Sequence, residues 1–168
     1  MNFKDLALKR RSIRKFTNQK INDELINELL VCAMAAPSAK NQQPWEFYVI
    51  QSEDKLNKIR NVAKNYDFNA TLSIVVCGNK ERTITQNDND FWIQDCSAAV
   101  ENILLAATSL NLGAVWCGAF PVLERSNALK DILEVGDNII PMALIQLGYP
   151  NEEKEERTQF NKDYVHYL

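Results

Sequence analysis

The chain has 168 residues, 46% of them hydrophobic and 24% charged, which fits one folded domain over residues 1–168 and excludes a disordered, collagen-like or coiled-coil protein. No apolar run approaches the roughly 18 residues that span a bilayer, and Met1-Asn2-Phe3-Lys4-Asp5 lacks the hydrophobic stretch of a secretion signal, so the expectation is a soluble, cytoplasmic protein. The net charge is −3, yet residues 1–20 carry seven Lys or Arg against one Asp; such a basic knot on an acidic chain suits a small phosphate ester better than a nucleic acid, with an ordinary solvated basic face as the commoner reading of charge alone.

Along the chain, Asn22 offers an N-cap, and Leu25, Ile26, Leu29, Leu30, Ala33 and Met34 recur at helical spacing up to Pro37, predicting a helix over 23–35. Trp45 to Gln51 is aromatic and β-branched, which predicts a strand. Ser52, Glu53 and Asp54 then start a capped amphipathic helix with Leu56, Ile59 and Val62 on its apolar side. A strand follows at Leu72 to Cys77, and the polar stretch 80–90 reads as a loop. From Phe91 to Leu112 apolar residues occupy nearly every face, as in a helix buried on most sides. A short strand at Ala114 to Cys117, a helix at Leu123 to Leu133 and a strand at Ile139 to Leu147 complete the body. The ending, Tyr164-Val165-His166-Tyr167-Leu168, favours β structure and is expected to pair with its own fold or another copy.

Candidates for chemistry are few. Cys32, Cys77, Cys96 and Cys117 form no Cys-x-x-Cys pair and sit in apolar contexts, and His166 is the one imidazole, so neither a zinc site nor a Cys/His relay has material. Lys9-Arg10-Arg11-Ser12-Ile13-Arg14-Lys15-Phe16 joins guanidinium forks to a hydroxyl donor, a set suited to a terminal monophosphate, with Ile13 and Phe16 as anchors. No glycine-rich loop of Walker or Rossmann spacing exists among the five glycines. Ala36-Pro37-Ser38-Ala39-Lys40-Asn41-Gln42-Gln43-Pro44-Trp45 sets small residues and amides between two prolines. It suits hydrogen bonding to a flat heterocycle, and equally an ordinary helix-to-strand connection.

Arg10-Arg11-Ser12-Ile13-Arg14-Lys15-Phe16, then Pro37-Ser38-Ala39-Lys40-Asn41-Gln42-Gln43-Pro44-Trp45, then Gln94 to Ala107, Leu112 to Gly118, and Leu147-Gly148-Tyr149-Pro150 with Arg157 and Val165-His166-Tyr167 together resemble the FMN-dependent nitroreductase family. The blocks run in order over nearly the whole chain. The resemblance implies an α+β fold with a central, mainly antiparallel sheet flanked by helices. It also implies a homodimer with FMN at the interface and a C-terminal arm extending onto the partner subunit. By position it assigns phosphate and ribityl contacts to Arg10, Ser12 and Arg14, a further cation to Arg157, and supporting contacts to Arg11. Pro37, Ser38, Ala39 and Asn41 match the loop laid on the cofactor by the second subunit. Gly118 and Ala119 fall where a backbone amide approaches flavin N5, and Asn69 matches an amide reading the pyrimidine edge. No side chain is assigned a catalytic role. Hydride is expected to pass from NADH or NADPH through N5 to a nitroaromatic, quinone or similar acceptor by a ping-pong route. A noncatalytic FMN storage or sensing protein is the alternative. A nucleic-acid binder using residues 9–15 and Trp45 is disfavoured by the overall acidity.

Overall fold

The computed structural model describes residues 2–86 and 89–168. Among them a four-stranded antiparallel sheet has the order β1 (Trp45–Ile50), β2 (Leu72–Asn79), β6 (Ile139–Gly148), β5 (Gly113–Gly118). The two middle strands are the most continuously apolar segments, and the sheet buries them on both faces. Along β2, Ile74 and Val76 enter one core while Val75 and Cys77 enter the other, as the two-residue period of a strand requires. Pro141 has no N–H for the ladder and coincides with a register shift, Val76 facing Ala143 and Cys77 facing Pro141.

Helices cover both faces. On one, α2 (Asp23–Met34) and α4 (Trp92–Ser109) pack Leu29, Ala33, Ala99, Val100 and Ile103 onto the sheet. On the other, α3 (Glu53–Arg60) and α5 (Leu123–Leu133) contribute Leu56, Ile59 and Leu129. The expected caps form: the Asn22 side chain accepts from the Leu25 amide at 3.0 Å, and Ser52 Oγ from the Lys55 amide at 3.4 Å. Gly78 exists for packing, since a Cβ there would lie 2.2 Å from the Trp92 ring.

Three sequence expectations change. A first helix, α1 (Phe3–Lys9), precedes those anticipated; it buries no residue, and at seven residues its helix-spaced apolar positions Phe3, Leu6 and Ala7 make too short a run to announce it. Within 80–90 the expected loop gives way to a pair of two-residue strands, β3 (Thr85–Gln86) and β4 (Asn89–Asp90); residues 87 and 88 of that stretch lie outside the described residues. The terminal patch forms no strand in this chain. A single 3₁₀ turn, Lys162–Tyr164, is followed by exposed Val165, Tyr167 and Leu168.

Candidate functional site

The basic segment is laid along the open edge of the sheet. Ser12 bridges Ala114 of β5 in parallel, with the Ile13 amide donating to the Ala114 carbonyl at 3.0 Å. Phe16 bridges Pro150, and the Thr17 amide donates to the Tyr149 carbonyl at 2.8 Å. Sequence makes this docking possible at two glycines. A Cβ on Gly113 would sit 2.7 Å from Ile13 Cγ2, and one on Gly148 would sit 2.9 Å from Phe16 Cβ. Burying the Phe16 ring contributes roughly 2–3 kcal/mol, and its main chain is held at both ends by one side chain. Asn69 Oδ1 accepts from Phe16 N at 3.1 Å, and Asn69 Nδ2 donates to Phe16 O at 2.6 Å. The carboxamide expected at a pyrimidine edge is therefore engaged with Phe16.

Because the segment is extended, its side chains alternate. Arg11 and Ile13 open on a cavity of about 320 Å³ with Thr108, Asn111 and Leu112. Arg10 is instead paired with Glu101 of α4, and Arg14 lines a cleft with Arg60 of α3. Arg11 thus separates from the residues it was grouped with, and its guanidinium instead donates to the Glu155 carbonyl. It is one stitch of an acidic strap. Glu152 Oε1 accepts from the amides of Arg14 and Lys15, Lys154 Nζ donates to the Ser12 carbonyl at 2.6 Å, and the Arg157 amide donates to the Leu8 carbonyl at 3.0 Å. The Arg14 amide is the chief reason the Glu152 carboxyl sits below its ordinary range. The bond to Leu8 ties the exposed Arg157 to a point two residues before Arg10, whose guanidinium stands 3.7 Å from Glu101 of α4. A partly exposed pair at that distance is worth less than about 1 kcal/mol.

The outer edge of β5 supplies the other half. In an antiparallel strand alternate residues point both N–H and C=O to the same side. Since the Ala114 carbonyl faces outward to Ile13, those of Trp116 and Gly118 do too. The Gly118 carbonyl takes the Tyr66 hydroxyl at 2.8 Å and Arg125 at 3.4 Å, and nothing stands within 4 Å of where a Gly118 side chain would begin. Its N–H points to the same outer side of β5. Ala119 differs: it is buried, and its amide donates to the Met142 carbonyl at 3.1 Å. Of the two residues expected near a flavin nitrogen, Gly118 has the outward donor and Ala119 braces it.

Positive charge surrounds this edge. Burial pushes the Cys117 thiol up to about 11, and the guanidiniums of Arg14 and Arg125 pull against that rise. Arg14 also lines a cleft of about 630 Å³ with Lys20, Arg60 and Asn69, within the range of small-molecule sites. Among the described residues no cluster of His, Cys, Asp or Glu could hold a metal, and no helix is long and apolar enough to cross a membrane.

Pro37, Ser38, Ala39 and Asn41 lie elsewhere. Their loop leads into β1, at the opposite edge, and three strand spacings put about 14 Å between the two edges. Lys40, Asn41 and Gln43 have φ of 48°, 57° and 48°, left-handed values that cost non-glycine residues roughly 1 kcal/mol or more each. Two main-chain bonds inside the loop, from the Asn41 amide to the Ser38 carbonyl and from the Gln42 amide to the Ala39 carbonyl, are joined by two to side chains: Ser38 Oγ accepts from the Gln43 amide at 2.9 Å, and Asp95 Oδ1 of α4 accepts from the Ala39 amide at 2.9 Å.

Sequence reasoning did not single out Tyr66, Asn65, Arg125, Asp95 or Glu152. Tyr66 is fully buried, its hydroxyl pushed up to about 12 by burial, and Gln146 Nε2 donates to its carbonyl at 2.7 Å. Asn65 follows it to the β5 edge, where its carbonyl accepts from Cys117 Sγ. No local motif marks these residues. Glu152 did have a signal, the acidic run 152–156 facing an equally dense basic run.

The profile of the nitroreductase family matches residues 7–66 and 62–149. A protein of Archaeoglobus fulgidus provisionally named an NADH dehydrogenase/NAD(P)H nitroreductase is 42% identical over 165 residues, covering 94% of this chain and 92% of its own. An FMN-dependent nitroreductase from Clostridium difficile superposes with a TM-score of 0.87 at 29% identity, covering 96% of each chain. A nitroreductase-like protein from Desulfovibrio desulfuricans, solved in complex with FMN, gives 0.84 at 26% identity over 100% of this chain and 98% of its own.

Proposed function

This chain belongs to the nitroreductase family, and from that premise we propose that it is an FMN-dependent oxidoreductase passing hydride from NADH or NADPH to a nitroaromatic, quinone or similar small acceptor. The residues present suit FMN. Arg10, Ser12 and Arg14 lie on an extended segment that meets the outer edge of β5 at Ala114, and farther along that edge Gly118 turns its N–H outward with no Cβ to crowd an approaching ring. That pairing carries the proposal. Bound FMN supplies the redox chemistry, taking up hydride at N5 and releasing it to the acceptor.

The chain's own groups bind and orient. Arg10 and Arg157 hold the phosphate, for which charge-assisted bonds exceed the loose pairing with Glu101. Ser12 reaches the ribityl chain. Arg14 sets positive charge where negative charge develops on reduction, which raises the potential. Gly118 donates to N5, and its missing Cβ admits the ring. Pro37, Ser38, Ala39 and Asn41 come from a second copy, because within one chain they stand across the sheet. The working form is accordingly a homodimer. Exposed Phe160, Tyr164 and Tyr167 on the C-terminal arm suit a seat on that second copy. A second copy's loop laid over the bound cofactor would leave a single open approach, so donor and acceptor would use it in turn, which is a ping-pong order.

The test is a visible spectrum of the purified protein, repeated during anaerobic titration with NADH and with NADPH. Flavin bands that bleach with either nicotinamide support the reading, as do parallel lines in double-reciprocal kinetics. A protein that takes up no FMN, or holds it and is reduced by neither nicotinamide, refutes it.

A further inference from the structure

Asp95 stands in the first turn of α4, where the positive end of the helix favours a carboxylate. It is 6% exposed. One oxygen accepts from the Ala39 amide at 2.9 Å, while Oδ2 is buried with no partner. An unsatisfied buried oxygen costs about 1–3 kcal/mol, and the loop it grips stores further strain in three left-handed residues. Two local costs on one contact, in a core otherwise closely packed, are the mark of a feature retained for something other than stability. The contact is also directional. Asp95 touches the loop at Ala39, midway between Ser38 and Asn41, so it sets which way those side chains project.

We infer that Asp95 is a positioning residue, locking the Ser38–Gln43 loop in the conformation that one subunit presents to the cofactor held by the other. The inference rests on the FMN reading above. It goes further in assigning cofactor affinity to a buried carboxylate that touches no cofactor, and in predicting that the defect appears in the partner's site. Asp95→Asn keeps an acceptor for the Ala39 amide, whereas Asp95→Ala removes it and lets the loop relax toward right-handed backbone.

The experiment measures the FMN dissociation constant by flavin fluorescence quenching, the melting temperature of the apoprotein, and amide exchange over residues 38–43. Wild-type protein that binds no FMN would sink the functional reading itself. With wild-type binding in hand, Asp95→Ala is expected to weaken FMN tenfold or more, about the value of one hydrogen bond to a charged group. Exchange in the loop should quicken while the apoprotein melts at the same temperature or higher, because an orphaned oxygen has gone. Asp95→Asn should recover most of the affinity. The partner clause is read from a mixed dimer, made by co-expressing an Asp95→Ala chain and an Arg10→Ala/Arg157→Ala chain under different affinity tags. One site then carries both lesions and the other neither, so one FMN per dimer should bind with wild-type affinity. Unchanged affinity in Asp95→Ala, a loss matched by a fall in apoprotein melting temperature, or a mixed dimer no better than either parent would each overturn the inference.

Discussion

Replacing Asn69 with alanine separates two roles that sequence alone leaves superimposed. In the structure both ends of its carboxamide are bonded to Phe16, at 3.1 Å to the amide and 2.6 Å from the carbonyl. Removing them forfeits two hydrogen bonds worth about 0.5–1.5 kcal/mol each and leaves two main-chain groups of a buried residue unpaired. A loss of about 2–4 kcal/mol follows, which for a domain of this size lowers the melting temperature by roughly 5–15 °C. The damage sits at the root of the basic segment, so FMN affinity should fall with stability, and excess FMN should restore part of the lost melting temperature by mass action. Asn69→Asp discriminates further, since it keeps an acceptor for the Phe16 amide but turns a carboxylate oxygen toward the Phe16 carbonyl. It should be at least as destabilising as alanine. The assay is thermal unfolding with and without FMN. An Asn69→Ala protein that melts like wild type in the apo form yet binds FMN weakly would show that the side chain reads the cofactor directly, and the argument from Phe16 would fail.

Gly118→Val should fold normally, because nothing lies within 4 Å of its Cβ direction, and should lose flavin absorbance; a yellow valine variant would remove Gly118 from the site. Tyr66→Phe deletes the hydroxyl that fixes the Gly118 carbonyl at 2.8 Å and should cost about 1 kcal/mol with a shifted flavin reduction potential, read by unfolding and by dye equilibration; an unchanged potential would detach Tyr66 from the cofactor edge. The same hydroxyl should titrate near 12 in the folded protein, so its burial lowers stability as pH rises through 10, where the unfolded tyrosine ionises first. For Glu152 the sign is opposite. Its depressed value means a contribution fully present above 4.5 and lost as pH falls through the lower folded value; Glu152→Gln should differ from wild type at neutral pH and converge with it in acid, and parallel melting curves at every pH would contradict the strap.

The helices and strands with periodic apolar residues were legible because their faces bury what their sequence repeats, as in α2 and β2. The segments that were not legible owe their form to partners far along the chain. Helix α1 has no buried face, and the terminal patch has no strand beside it within the described residues of this chain. The site divides the same way. Arg10, Ser12, Arg14 and Gly118 announced themselves by residue type, and Ser12 and Gly118 both lie at the β5 edge. That Arg11 turns to the Glu155 carbonyl depends on a partner 144 positions away, which no spacing rule in the sequence reveals. Asp95 and Tyr66 were hidden because a buried polar group acts through geometry and carries no spacing rule.

The side-chain bonds between the basic segment and the strap join residues 137 to 144 positions apart. Each of these bonds closes a loop nearly as long as the domain, so the segment cannot take its spacing from its neighbours in sequence. Its shape is a late, long-range product of folding that exists only while the edge strand and the acidic stretch are both in place, and a lesion in either one would reach the arginines without touching them.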